Sequence, residues 1–157
     1  MREKVSGFVF PGLFFMAWGL AISGSIPPGM TEANLFIDRS INWILYFCGF
    51  AFLSAAVMHS IFARKTAQSI GWVTNGFQYE IAAVSLGIGI SCFCALYWGR
   101  AAQVSISIPI ITFLFFAGIN HLKEIAINRN FAPNNTLILI WDLGISISLA
   151  TLLFLSN

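Results

Sequence analysis

Apolar residues run along this chain in long blocks, and polar residues are confined to short gaps between them. A helix crosses roughly 30 Å of hydrocarbon with about 20 predominantly apolar residues, at 1.5 Å per residue. Five blocks reach that length, at approximately 7–26, 41–63, 77–98, 104–126 and 136–156. The gaps carry the residues that stop helices. Pro27-Pro28-Gly29 ends the first block and opens a polar connection through Glu32, Asn34, Asp38 and Arg39. Arg64-Lys65 closes the second block, Gly99-Arg100 the third, and Asn128-Arg129-Asn130 with Pro133 the fourth. The pattern predicts an all-α integral membrane protein, a single-domain helical bundle of about five transmembrane helices.

The charged start, Met1-Arg2-Glu3-Lys4, followed by an apolar stretch has the outline of a signal peptide. The stretch lacks a small-x-small cleavage site, and its length is that of a span, so it is read as a retained first helix. Pro11-Gly12 sits near its start, where a first-turn proline is tolerated.

Composition agrees. The chain is 58% hydrophobic and 9% charged, whereas a soluble domain carries about 25% charged residues. So few charges cannot cover a water-facing surface, and membrane lipid is the expected surrounding. The net charge of +2 is small and the Lys and Arg residues are scattered, which leaves no electrostatic footprint for nucleic acid. Cys48, Cys92 and Cys94 lie inside apolar blocks and are odd in number, which argues against a disulfide framework or a zinc knuckle and for packing.

Basic residues are retained on the cytoplasmic side of membrane helices. With alternating spans, Arg2, Lys4, Arg64, Lys65, Lys123 and Arg129 share one side, against Arg39 and Arg100 on the other. The N-terminus is therefore predicted inside and the C-terminus outside, as a multi-pass protein of a bacterial inner membrane. Trp43, Trp72, Tyr97 and Trp98 fall near predicted helix ends, where amphipathic rings sit well. Ala83 and Gly87 have the spacing that lets helix backbones approach, although Gly and Ala are common in membrane helices in any case. No internal repeat is evident, and five spans do not divide into two halves, which disfavours an inverted-repeat transporter.

Ionisable side chains inside a span are costly and mark candidate functional sites. Five stand out: His59, Glu80, His121, Glu124 and Asp142. Because successive helices alternate direction, all five are expected near the cytoplasmic face, at depths of roughly 5–15 Å by helix rise. His121 and Glu124, three apart, share a helix face. Together with carboxylates and a second imidazole from facing helices they supply the ligand types of a transition-metal site, zinc or iron. Gln78, Asn120 and Trp72 are supporting polar or aromatic neighbours.

The same residues fit other roles. They suit a proton or cation path, a polar cluster that only holds helices together, or interfacial groups reaching for headgroups. Two imidazoles at matched depth also suit haem b, although carboxylates are unusual company for its iron. No nucleophile signature, phosphate-binding glycine loop or zincin motif is present, so enzyme activity is left undecided. A homo-oligomer or a subunit of a membrane complex are both compatible with the composition.

The run from His59 through Ile70-Gly71-Trp72 to Phe77-Gln78-x-Glu80, followed by Asn120-His121-x-x-Glu124 and Trp141-Asp142, resembles a family of small bacterial multi-pass membrane proteins without a settled activity. The resemblance covers roughly residues 55 to 145. It implies that His59, Gln78, Glu80 and His121 belong to one motif. It leaves the first span and its Pro-Pro-Gly connection outside, as a peripheral part of the bundle.

Overall fold

A computed structural model describes residues 7–30 and 35–156. Arg2 and Lys4, with Glu32 and Asn34 of the first connection, lie outside the described residues. Among those described, every regular element is a helix: α1 Val9–Ile22, α2 Phe36–Ser60, α3 Ala63–Ile70, α4 Phe77–Trp98, α5 Arg100–Asn128, α6 Pro133–Thr136 and α7 Ile138–Leu155. The chain is a membrane-protein-like bundle in which, among the described residues, four stretches are long and apolar enough to cross a membrane: α2, α4, α5, and α6 with α7 as Pro133–Leu155.

The expected first crossing differs. α1 has 14 residues, about 21 Å at 1.5 Å per residue, and is short for a hydrocarbon core. Ser23 and Ser25 both turn their hydroxyls back to the Leu20 carbonyl, which ends the helix well before the prolines. α1 is not peripheral, however. Ala17 and Ala21 are fully buried, Phe10 packs on Trp141, and Gly144 of α7 faces the Phe14 ring. The beginning of α1 thus lies beside the beginning of α7, and the two run in the same direction. Beyond α1, the Trp43 indole donates to the Ser25 carbonyl at 2.9 Å, and the Tyr97 hydroxyl approaches the Pro28 carbonyl at 3.4 Å. The non-helical stretch after Ile22 therefore reaches the far end of the bundle.

α4 and α5 are separated by Gly99 alone and form an antiparallel hairpin. α4 packs closely on α2 through a row of small buried residues, Ala82, Ser85, Gly89 and Cys92. Ala83 and Gly87 face outward instead. The sequence could not distinguish these faces, because lipid is as apolar as a helix interface and small size is the only difference. At the far end Gln103 of α5 donates to Asn42 of α2 at 2.8 Å, both buried.

At the opposite end α3 is a short surface helix. It buries Ala63, Thr66 and Ala67 and exposes Arg64 and Lys65. The Thr66 hydroxyl donates to the Met58 carbonyl and ties α3 to the end of α2.

Candidate functional site

The end of the bundle where α2 finishes and α7 begins holds the candidate residues. α3 stops at Gly71, whose φ of +78° is a left-handed conformation that side-chain-bearing residues disfavour. The Trp72 amide then donates back to the Ala67 carbonyl at 2.8 Å, and the Gly71 amide to Gln68, a Schellman arrangement. Asn130, just past α5, seals the turn by donating to the Ile70 carbonyl at 2.7 Å. A Cβ on Gly71 would sit 2.8 Å from that Asn130 amide. Gly71→Ala is expected to cost about 1–2 kcal/mol through backbone strain alone. The thermal unfolding midpoint in detergent should fall accordingly, and an unchanged midpoint would mean the turn is not held as described.

The turn delivers Trp72 onto His121, where the rings stack with centroids 5.3 Å apart. This Trp is a wall of the site rather than a lipid-facing anchor, in contrast to the exposed Tyr97 and Trp98. His121 is buried and held by Asn135, the fully buried residue of α6. Its Nδ1 lies 2.7 Å from Asn135 Oδ1. Asn135 Nδ2 donates to the carbonyls of Asn130 and His121, at 3.0 and 3.4 Å, which fixes the amide with its oxygen toward the ring. The hydrogen of a neutral imidazole is therefore assigned to Nδ1, and Nε2 presents a lone pair.

That lone pair faces Asp142. His121 Nε2 and Asp142 Oδ2 are 3.8 Å apart, beyond hydrogen-bond distance. Asp142 is 3% exposed, and its Oδ2 has no hydrogen-bond partner among the described residues. Its helix is pressed against α5 at Gly118, where a Cβ would lie 2.8 Å from Leu143 and 3.4 Å from the Asp142 Cβ.

All three groups line a half-open cavity of about 1270 Å³. His59 reaches it from α2, half-buried, with its Nδ1 buried and unpartnered among the described residues, as is Trp72 Nε1. Asn120 lies on its wall, and Lys65 and Lys123 stand at its outer end. Deeper walls are apolar, including Phe52 and Phe113, which pack edge-on.

The remaining candidates are elsewhere. Glu80 is exposed, and Glu124 is half-buried and accepts a hydrogen bond from Asn128 at 2.9 Å. Neither lines the cavity. Gln78 is buried, with its Oε1 unpartnered among the described residues, and also lies outside the cavity lining. Among the described residues no three His, Cys, Asp or Glu side chains gather as a metal ion would require, so the expected five-residue ligand set is not assembled. Equal depth along helices does not fix the direction a side chain takes around the helix axis. His121 and Glu124 share a face broadly, yet only His121 turns into the cavity.

Sequence reasoning missed Asn135, Lys65 and Lys123 as parts of this site. Asn135 carried one signal, an amide directly before an apolar span, and its partner is 14 positions away.

Over residues 8–157 the chain matches the model of a protein family described as "Family of unknown function (DUF6790)". The chain belongs to this family. The match takes in α1 and the Pro-Pro-Gly connection, which the residue-55-to-145 resemblance left out. No match was found among curated proteins or among solved structures. Membership in DUF6790 therefore carries no activity, and function has to be argued from the site.

Proposed function

We propose that this protein is a membrane-embedded binding protein for an amphiphile, whose tail lies along the apolar part of the cavity and whose head meets Trp72, His121 and Asp142. The observation that carries this reading is Asp142 Oδ2, without a hydrogen-bond partner among the described residues and almost completely buried at the polar end of a large, mainly apolar cavity. A buried carboxylate oxygen without a donor is costly, and a bound ligand that supplies the donor removes that cost. Phe62 and Phe116 are exposed and also line the cavity, which suits entry of a tail from the bilayer.

In this reading the basic end of the bundle, with Arg64, Lys65, Lys123 and Arg129, faces the cytoplasm. The stretch from Gly7 to Pro28 completes a fifth crossing, its short helix continued by the non-helical chain that follows it. The position of Gly7 beside Asn134 and Leu137, and of Pro28 beside Tyr97, supports that path.

The test is native mass spectrometry of protein purified in a mild, releasable detergent. The expected result is a co-purified amphiphile at near-stoichiometric occupancy. Ala117→Phe, which places a ring in the lining, is expected to remove it while the protein stays folded. Absence of any bound amphiphile from both forms, after purification without added lipid and again after incubation with total membrane lipid, would overturn the assignment.

A further inference from the structure

The order of polar groups along the cavity specifies the head of the ligand, given the amphiphile-binding role proposed above. From Thr112 to Lys123 the lining extends about 16 Å along α5 at 1.5 Å per residue. Its deep part is apolar apart from Thr112, whose hydroxyl is turned back to the Ile108 carbonyl. Polar side chains gather in the lining at the level of His59, Asn120, His121 and Asp142, and the charged Lys65 and Lys123 stand on the outer rim.

The inner pair is an acceptor pair. With His121 Nδ1 committed to Asn135, its Nε2 offers a lone pair, and Asp142 Oδ2 offers another 3.8 Å away. At 3.8 Å the two groups are too far apart to hydrogen-bond to each other. A single hydroxyl or N–H in front of them can donate to one while remaining close to the other. The outer rim has the opposite character, because both of its charged groups are ammonium ions on flexible stems. Asp142 is the only carboxylate in the lining among the described residues, and it belongs to the inner level.

We infer that the ligand is an amphiphile carrying a hydroxyl or amide N–H where tail joins head, held by His121 and Asp142, and an anionic group beyond it, held by Lys65 and Lys123. A lysophospholipid, with a free glycerol hydroxyl next to the chain and a phosphate outside it, has this order. An N-acyl amino acid, with its amide N–H and terminal carboxylate, has the same order. A simple fatty acid lacks the inner donor, and a monoacylglycerol lacks the outer anion.

Delipidated full-length protein in detergent is titrated with chain-matched probes: a lysophosphatidic acid, an N-acyl glycine, an alkyl phosphate without hydroxyl, and a monoacylglycerol. Binding is read by tryptophan fluorescence and by native mass spectrometry. One of the first two is expected to bind about tenfold or more tightly than both single-function probes, since a site built to pair with a donor rejects analogues that lack it. Which of the two wins identifies the source. Asp142→Asn is expected to narrow the gap between lysophosphatidic acid and alkyl phosphate. Lys65→Gln combined with Lys123→Gln is expected to narrow the gap between lysophosphatidic acid and monoacylglycerol. Equal affinity for all four probes in the unaltered protein would overturn the head assignment and leave the amphiphile cavity standing. Binding of none of them, together with no co-purified amphiphile, would overturn both, and the comparison on the unaltered protein holds even if a variant does not fold.

Discussion

Replacing Asn135 by Leu is expected to destabilise the protein by about 2–4 kcal/mol, because a fully buried amide that serves three groups disappears at once. Its Oδ1 accepts from His121 Nδ1, and its Nδ2 serves the carbonyls of His121 and Asn130. Leucine is similar in size, so the loss is of hydrogen bonds rather than of packing. The Asn130 carbonyl, freed in a half-buried place, lies just past the end of α5, and the same Asn130 clamps the α3 turn through Ile70. The damage should therefore spread from His121 to Trp72. Thermal unfolding in detergent measures the loss, and quenching of tryptophan fluorescence by an added amphiphile reports whether the stacked pair is still in place. A variant as stable as the parent, with unaltered ligand quenching, would show that Asn135 does not organise the site.

The second large effect is expected at the contact between α2 and α4. A Cβ on Gly89 would lie 2.9 Å from the Leu53 side chain and 3.0 Å from the Leu53 backbone nitrogen. A side chain can turn away, but the backbone of a 25-residue helix cannot yield locally. Gly89→Leu should separate the two helices and cost about 3 kcal/mol, at the upper end of overpacking penalties. Gly87→Leu is the control, since nothing lies within 4 Å of a Cβ there. Parallel unfolding curves of the two variants check the prediction, and equal midpoints would contradict the close packing of α2 on α4. The pair also distinguishes a general intolerance of bulk in α4 from a specific face, because the two positions are only two residues apart.

The differing fates of Gly87 and Gly89 show why parts of the bundle were hidden in the sequence. α4 is apolar around its whole circumference, so periodicity gives no direction to its buried face. In water an apolar stripe reveals what is buried, whereas in lipid both environments accept the same residues. The site was legible to the same limited extent. Burial cost alone marked His59, His121 and Asp142 as unusual inside apolar spans, and the structure places all three on one cavity. The same criterion marked Glu80 and Glu124, which lie at helix ends where exposure or a neighbouring Asn128 removes the cost. The role of Trp72 was also opaque, since a Trp near a helix end has the same local sequence whether it meets headgroups or stacks on an imidazole.

By itself, then, the sequence determined the long apolar helices: blocks divided by prolines, glycines and basic residues suit helices in a membrane, where every backbone group must be satisfied within the segment, while the early end of α1 and the surface helix α3 were not legible in it. It also determined at which end of the helices the titratable side chains sit, since depth follows from rise per residue. Only the tertiary structure decided how each helix is rotated about its axis. That rotation brings Asn135 to His121 and His121 to Asp142 while sending Glu80 outward, and it depends on close packing among small side chains, a matter of shape that apolar patterning does not encode.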